Sequence, residues 1–196
     1  MTVSPARVGP SRTPPRSQRT VAVTRAVAAV IWAAIFLAAL HGQRVLTGDR
    51  IPVAIGLLLA AYPLIDAAAI VFEPRRRPDR TRPVADLVID GVAVVGLLIA
   101  ALAFHTGSVL VVFGTWALVS GLLQLGHAWR ANAPRRVQTP LIISGAISVI
   151  AGISFAALAT KHTAQLANLA GYAVLGAVFF VVWTYLNRTR SAQGST

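Results

Sequence analysis

Apolar residues fall into six continuous blocks, 21–40, 51–72, 84–104, 108–128, 140–159 and 166–186. Each is close to the roughly twenty residues that a helix needs to cross about 30 Å of hydrocarbon. Strands of a membrane barrel would instead alternate apolar and polar residues over segments of about ten. The blocks here do not alternate. The pattern predicts an all-α fold: a polytopic membrane bundle of six transmembrane helices.

Composition agrees, with 56% hydrophobic and only 12% charged residues. The net charge of +12 changes the picture only through its placement. With six spans, fifteen of the eighteen Lys and Arg residues fall on one side. They lie in the N-terminal tail and the entry to the first span, the second-to-third and fourth-to-fifth connections, and the C-terminal tail. Only Arg44, Arg50 and Lys161 fall on the other. Excess Lys and Arg marks the cytoplasmic side, so both termini are expected in the cytoplasm. Such a distribution serves topology rather than nucleic-acid binding. The chain has no cysteine, which excludes disulfides and thiolate chemistry.

Residues 1–20 are rich in Pro, Ser, Thr and Arg. They read as a disordered basic cytoplasmic tail suited to anionic lipid headgroups. Residues 21–187 form the membrane domain and 188–196 a short cytoplasmic tail. The first block lacks a good Ala-x-Ala cleavage site and is expected to stay as a span. Its removal as a signal peptide would leave five spans in the same orientation. Short connections predict antiparallel neighbours. A gapless alignment at an offset of 57 places Phe104-His105-Thr106-Gly107 and Gly114 on Lys161-His162-Thr163-Ala164 and Gly171. Leu87-Val88-Ile89-Asp90-Gly91 similarly matches Leu141-Ile142-Ile143-Ser144-Gly145 at an offset of 54. The chain therefore reads as three hairpins of like orientation, unlike the inverted repeats of many transporters.

Asp66, Asp86 and Asp90 lie inside spans, where a carboxylate is costly without a partner. Asp66 and Asp90 are each expected roughly 9 Å from the cytoplasmic end, on adjacent antiparallel helices. Ser120, Gln124 and His127 share one face of the fourth span, Ser144 and Ser148 one face of the fifth, and Arg25 enters from the first. The expected polar cluster is thus Asp66, Asp86, Asp90, Gln124, His127 and Ser144. Two readings stand: interhelical packing with arginine-neutralised carboxylates, or a pocket open to the cytoplasm that takes a proton or small polar ligand. In the outer half, the second and third spans offer no ionisable group deeper than their ends, and the sixth contributes only Asn168, close to its outer end. This gap argues against an ion path through both leaflets.

His41, His105 and His162 each mark one outer connection. Their imidazoles suit pH sensing better than metal binding, because none is paired at a ligand spacing. No metal site is expected. Arg75, Arg76 and Arg77 are candidates for contact with anionic lipid or a protein partner of unknown identity. Gly114 with Gly121, and Gly145 with Gly152, repeat at seven residues and present small faces for close helix packing. That packing is expected within the chain, with contact between copies as the lesser alternative. Pro63 should kink the second span and free carbonyls beside Asp66. No catalytic constellation, phosphate loop or dinucleotide fingerprint occurs, so neither an enzyme nor a cofactor is expected.

The segment 112–128, Val-Phe-Gly-Thr-Trp-Ala-Leu-Val-Ser-Gly-Leu-Leu-Gln-Leu-Gly-His-Ala, resembles the acid-resistance membrane protein (HdeD-like) family. So does 141–153, Leu-Ile-Ile-Ser-Gly-Ala-Ile-Ser-Val-Ile-Ala-Gly-Ile. The likeness extends over roughly residues 45–187. It implies a small bacterial six-span protein with a short repeat and a link to acid tolerance, and it supplies no catalytic residues. The arginine-rich tail and the Tyr62-Pro63-Leu64-Ile65-Asp66 segment suggest a subgroup. The leading expectation is a non-enzymatic inner-membrane protein serving acid or envelope stress. Its rivals are a small proton-linked transporter using the aspartates and a scaffold acting through its arginine-rich loops.

Overall fold

The computed structural model describes residues 16–41, 46, 48–72, 81–130, 135–162 and 166–193, without the side chains of 16–22, 81–83, 135–138, 140–141, 180 and 182–193. Each apolar block becomes one helix: α1 (Arg16–Leu40), α2 (Val53–Phe72), α3 (Thr81–Ala103), α4 (Thr106–Arg130), α5 (Arg135–Leu158) and α6 (Ala167–Gln193). We call the end where α1 begins and α6 ends proximal, and the opposite end distal. At the proximal end the helices outrun their apolar blocks. α1 starts five residues before residue 21, and α6 continues through Arg188 and Arg190. Residues 16–20 and 188–193, assigned to tails from polarity alone, are therefore helical. Arginine is a good helix former, and a helix has no reason to stop where the hydrocarbon does. The rest of the basic tail, 1–15, lies outside the described residues.

Four helices have the length and apolarity of a membrane span: Val23–Leu40, Val53–Phe72, Val84–Ala103 and Thr106–Arg130. In α5 and α6 the apolar stretches among the described residues are shorter, Ile142–Leu158 and Ala167–Phe179. Large aliphatic side chains such as Ile31, Leu57, Val92, Leu122, Ile150 and Leu175 are exposed. Apolar surface on this scale marks contact with lipid. The molecule is a polytopic helical membrane protein.

The helices form a ring in chain order. α2 packs closely on α3, α4 on α5, and α1 on α6, the pair that closes the circle, while α5 and α6 hardly touch. The α4/α5 seam has a defined antiparallel register. A Cβ added to Gly114 would lie 2.7 Å from the Gly152 carbonyl oxygen, and one added to Gly121 2.6 Å from that of Gly145. Only glycine lets the two backbones meet there. The seven-residue glycine pairs are thus used within the chain. The offset of 57 does not carry over to this packing: Gly114 is sealed against α5, whereas a Cβ on Gly171 would meet nothing within 4 Å. In the α2/α3 seam Gly56 faces Ala101 in the same close manner, at 2.6 Å.

The distal half is filled with apolar side chains, among them Ile55, Leu59, Leu97, Val109, Leu110 and Leu169, all essentially inaccessible. Thr106, at the start of α4, ties this end together. Its amide and its hydroxyl both donate to the Asp49 carbonyl at 2.9 Å. The connection between α1 and α2 is thereby pinned to the turn between α3 and α4.

Candidate functional site

Midway along the ring, aromatic rings from five helices form a connected layer. Trp32 stacks on Phe36 with centroids 4.9 Å apart and meets Tyr62 at 4.6 Å. Tyr62 lies edge-on to Trp116 at 5.7 Å, and Trp116 meets Phe113 at 5.3 Å. Phe113 then contacts Phe155 at 5.7 Å, and Phe155 contacts Tyr172 at 5.9 Å. Edge-on and tilted pairs at these separations are favourable beyond their buried area. Their polar tips find partners: the Trp32 indole N–H donates to the Leu58 carbonyl at 2.6 Å, and the Tyr172 and Ser148 hydroxyls meet at 2.9 Å. Pro63, which has no N–H to return to the preceding turn, lies buried five residues beyond Leu58.

The third helix reaches this layer through a carboxylate. Asp90 is only 2% exposed, and its Oδ1 accepts from the Trp116 indole N–H at 2.9 Å. Its Oδ2 has no partner among the described residues.

On the proximal side of the aromatic layer lies a cavity of about 80 Å³. A water-sized group needs roughly 10–15 Å³ of such space, so the cavity has room for a handful. Its polar wall comprises Arg25 of α1, Asp66 of α2, Ser120 and Gln124 of α4, and Ser144 and Ser148 of α5. Tyr62, Trp116 and Tyr172 border it from the aromatic layer, and Ala26, Ala29, Ile65, Ile147, Gly176, Ala177 and Phe179 complete it. The Arg25 guanidinium is ion-paired with Asp66 Oδ1. Both side chains stay about a quarter exposed, at 28% and 26%. Gln124 Oε1 is buried without a partner among the described residues. The wall thus offers one cation, one anion, several hydroxyls and an amide, and no strongly nucleophilic group.

The expected polar cluster divides. Asp66, Gln124 and Ser144 line the cavity. Asp90 does not: it stands behind Trp116 and touches the site through that ring. Asp86 and His127 are half-buried and do not line the cavity. The anticipated Asp66–Asp90 centre is therefore two separate sites, because each carboxylate finds its own donor. Tyr172 also corrects the view that α6 contributes only Asn168. A tyrosine in an apolar run carries a hydroxyl that must find a partner when buried, which was the available signal. His41, His105 and His162 are exposed at the distal end, and among the described residues no three His, Cys, Asp or Glu side chains converge as metal ligands would. Arg75, Arg76 and Arg77 lie outside the described residues.

These features define a class, helical membrane proteins with a polar cavity inside the bundle. Comparison with family models, with curated proteins and with solved structures returns no match for the chain.

Proposed function

We propose that the chain is a six-span protein of a bacterial cytoplasmic membrane, both termini inside, that binds a small polar solute without transforming it. In this reading it serves acid or envelope-stress tolerance. The observation that carries the proposal is the cavity. A charged pair and four neutral polar side chains line one side of a ring whose other half is packed with apolar groups. Burying polar groups at this depth is costly, and packing alone would be served by fewer of them. The six-span count draws on α5 and α6 being ring members as long as the other four helices. The three-hairpin reading draws on the alternation of seams, with close packing between successive hairpins and looser packing within them. The stress role draws on the resemblance of residues 112–128 and 141–153 to the acid-resistance family.

A proton-linked carrier uses the same cavity, but it requires the aromatic layer to part so that the distal face gains access. A solute-binding protein requires no such opening.

Two experiments test the proposal. Because the chain lacks cysteine, single replacements Arg76→Cys and His105→Cys report topology directly. A membrane-impermeant maleimide applied to intact cells should label the second and spare the first. Survival of a deletion strain at neutral and acidic pH tests the role. Wild-type protein should restore acid survival and Gly176→Leu, which fills the cavity, should not. Equal survival of deletion and parent strains at both pH values removes the stress role.

A further inference from the structure

The ligand class follows from the cavity's charge and size. Its wall carries one guanidinium and one carboxylate, already bonded to each other. The lining is therefore electrically balanced. A simple anion or cation entering it would bring an uncompensated charge into a site walled by apolar helices, at a desolvation penalty that one contact does not repay. A neutral solute would avoid the penalty but gain only ordinary hydrogen bonds. A molecule bearing one charge of each sign brings in no net charge, and charge-assisted bonds at both ends, roughly twice as strong as neutral ones, offset the desolvation of its two groups.

We propose that the cavity takes a small zwitterion, one carboxylate and one ammonium on a short carbon skeleton, seated against the Arg25–Asp66 pair. This rests on the reading above that the cavity holds a polar solute, and it adds which kind. The carboxylate takes the Arg25 guanidinium and the ammonium takes Asp66, so four charges alternate in sign and none is left alone. Both residues line the cavity, unlike Asp90, which is sealed behind Trp116. An ammonium has three N–H donors. Asp66 satisfies part of this set, and Gln124 of the cavity lining, whose Oε1 is buried without a partner among the described residues, becomes an acceptor for another when its side chain turns toward the solute. Ser120 and Ser144 supply hydroxyls for the carboxylate. With about 80 Å³ available, and roughly 10–15 Å³ per water-sized group, the solute has on the order of five to eight non-hydrogen atoms. The smallest amino acids meet that limit. Ala26, Ala29 and Ala177 give the skeleton an apolar floor, and a Cβ on Gly176 would meet nothing within 4 Å.

The test uses the full chain purified in detergent or nanodiscs. Thermal shift and titration calorimetry are run with glycine and β-alanine, with the half-ligands acetate and methylammonium, and with urea and glycerol. Glycine or β-alanine should raise the melting temperature. Each half-ligand should bind at least about tenfold more weakly, since it loses one charge-assisted bond. Gly176→Leu should abolish the shift while helical content and monodispersity stay unchanged. If that variant misfolds, Ser144→Val serves as the second cavity-filling change. Arg25→Gln combined with Asp66→Asn keeps the wall neutral and should remove zwitterion binding. Acetate or methylammonium binding as tightly as glycine would overturn the assignment in favour of a simple ion site. Urea or glycerol binding, lost in Gly176→Leu, with no glycine binding would overturn the zwitterion and leave the solute pocket standing. No binding by any of the six probes would remove both readings.

Discussion

α5 meets its two neighbours in opposite ways. Against α4 it presents Gly145 and Gly152 to Gly121 and Gly114, so close that no Cβ fits between the backbones. Against α6 it scarcely packs, and what joins them includes the Ser148–Tyr172 hydrogen bond and the Phe155–Tyr172 ring contact. Small residues occur on both sides, yet they do different work. At the α4/α5 seam they let two backbones approach, whereas Gly176 on α6 leaves empty space beside the cavity. A tight seam holds the ring's shape, and a loose one leaves room for a site.

The largest expected effect breaks the tight seam. Gly121→Ala should destabilise the protein by about 2–3 kcal/mol, since the added methyl meets backbone rather than a side chain that can turn aside. Gly121→Leu should leave little folded protein. Denaturant titration in mixed micelles, followed by circular dichroism, measures both. If Gly121→Ala unfolds at the wild-type midpoint, the seam is not as close as described.

Next comes the charged pair. Arg25→Ala leaves Asp66 without its cation in the bundle. Full burial would make this worth about 3–5 kcal/mol, but the pair is about a quarter exposed, so roughly 1–3 kcal/mol is expected. Asp66→Asn should restore part of the loss when added to Arg25→Ala. Strict additivity in that double-mutant cycle would show that the two side chains do not act as a pair.

Across the loose seam, Tyr172→Phe removes one hydrogen bond and should cost about 0.5–1.5 kcal/mol. Ser148→Ala should cost a similar amount, and the double variant little more than either alone. The smallest effect sharpens the comparison. Gly176→Ala should be neutral or stabilising by about 0.5–1 kcal/mol, the ordinary gain of Ala over Gly in a helix, since a Cβ there meets nothing. The contrast between Gly176→Ala and Gly121→Ala, measured under one condition, decides whether the two seams differ as the geometry requires.

Much of the architecture was legible in the linear pattern. The apolar blocks located all six helices, because the length of an apolar run is a local property read one residue after another. Helix ends were less legible. Arg16 and Arg188 are polar yet helical, and hydropathy reports the edge of the hydrocarbon rather than the end of the hydrogen-bonded ladder. The site was half legible. Asp66, Gln124 and Ser144 stood out because polar groups in apolar runs call for partners. Trp116 and Tyr172 did not, since aromatic residues look at home in such runs.

By itself, then, the chain determined its class, the positions of its helices and the presence of polar groups within them. Only the tertiary structure decided the pairing. It joined Asp66 to Arg25 and Asp90 to Trp116, and it set Gly121 against Gly145 while leaving Gly176 open. The reason is geometric. Which face of a helix meets which neighbour depends on its rotation and on the closure of the ring, and these arise only when all six helices pack at once.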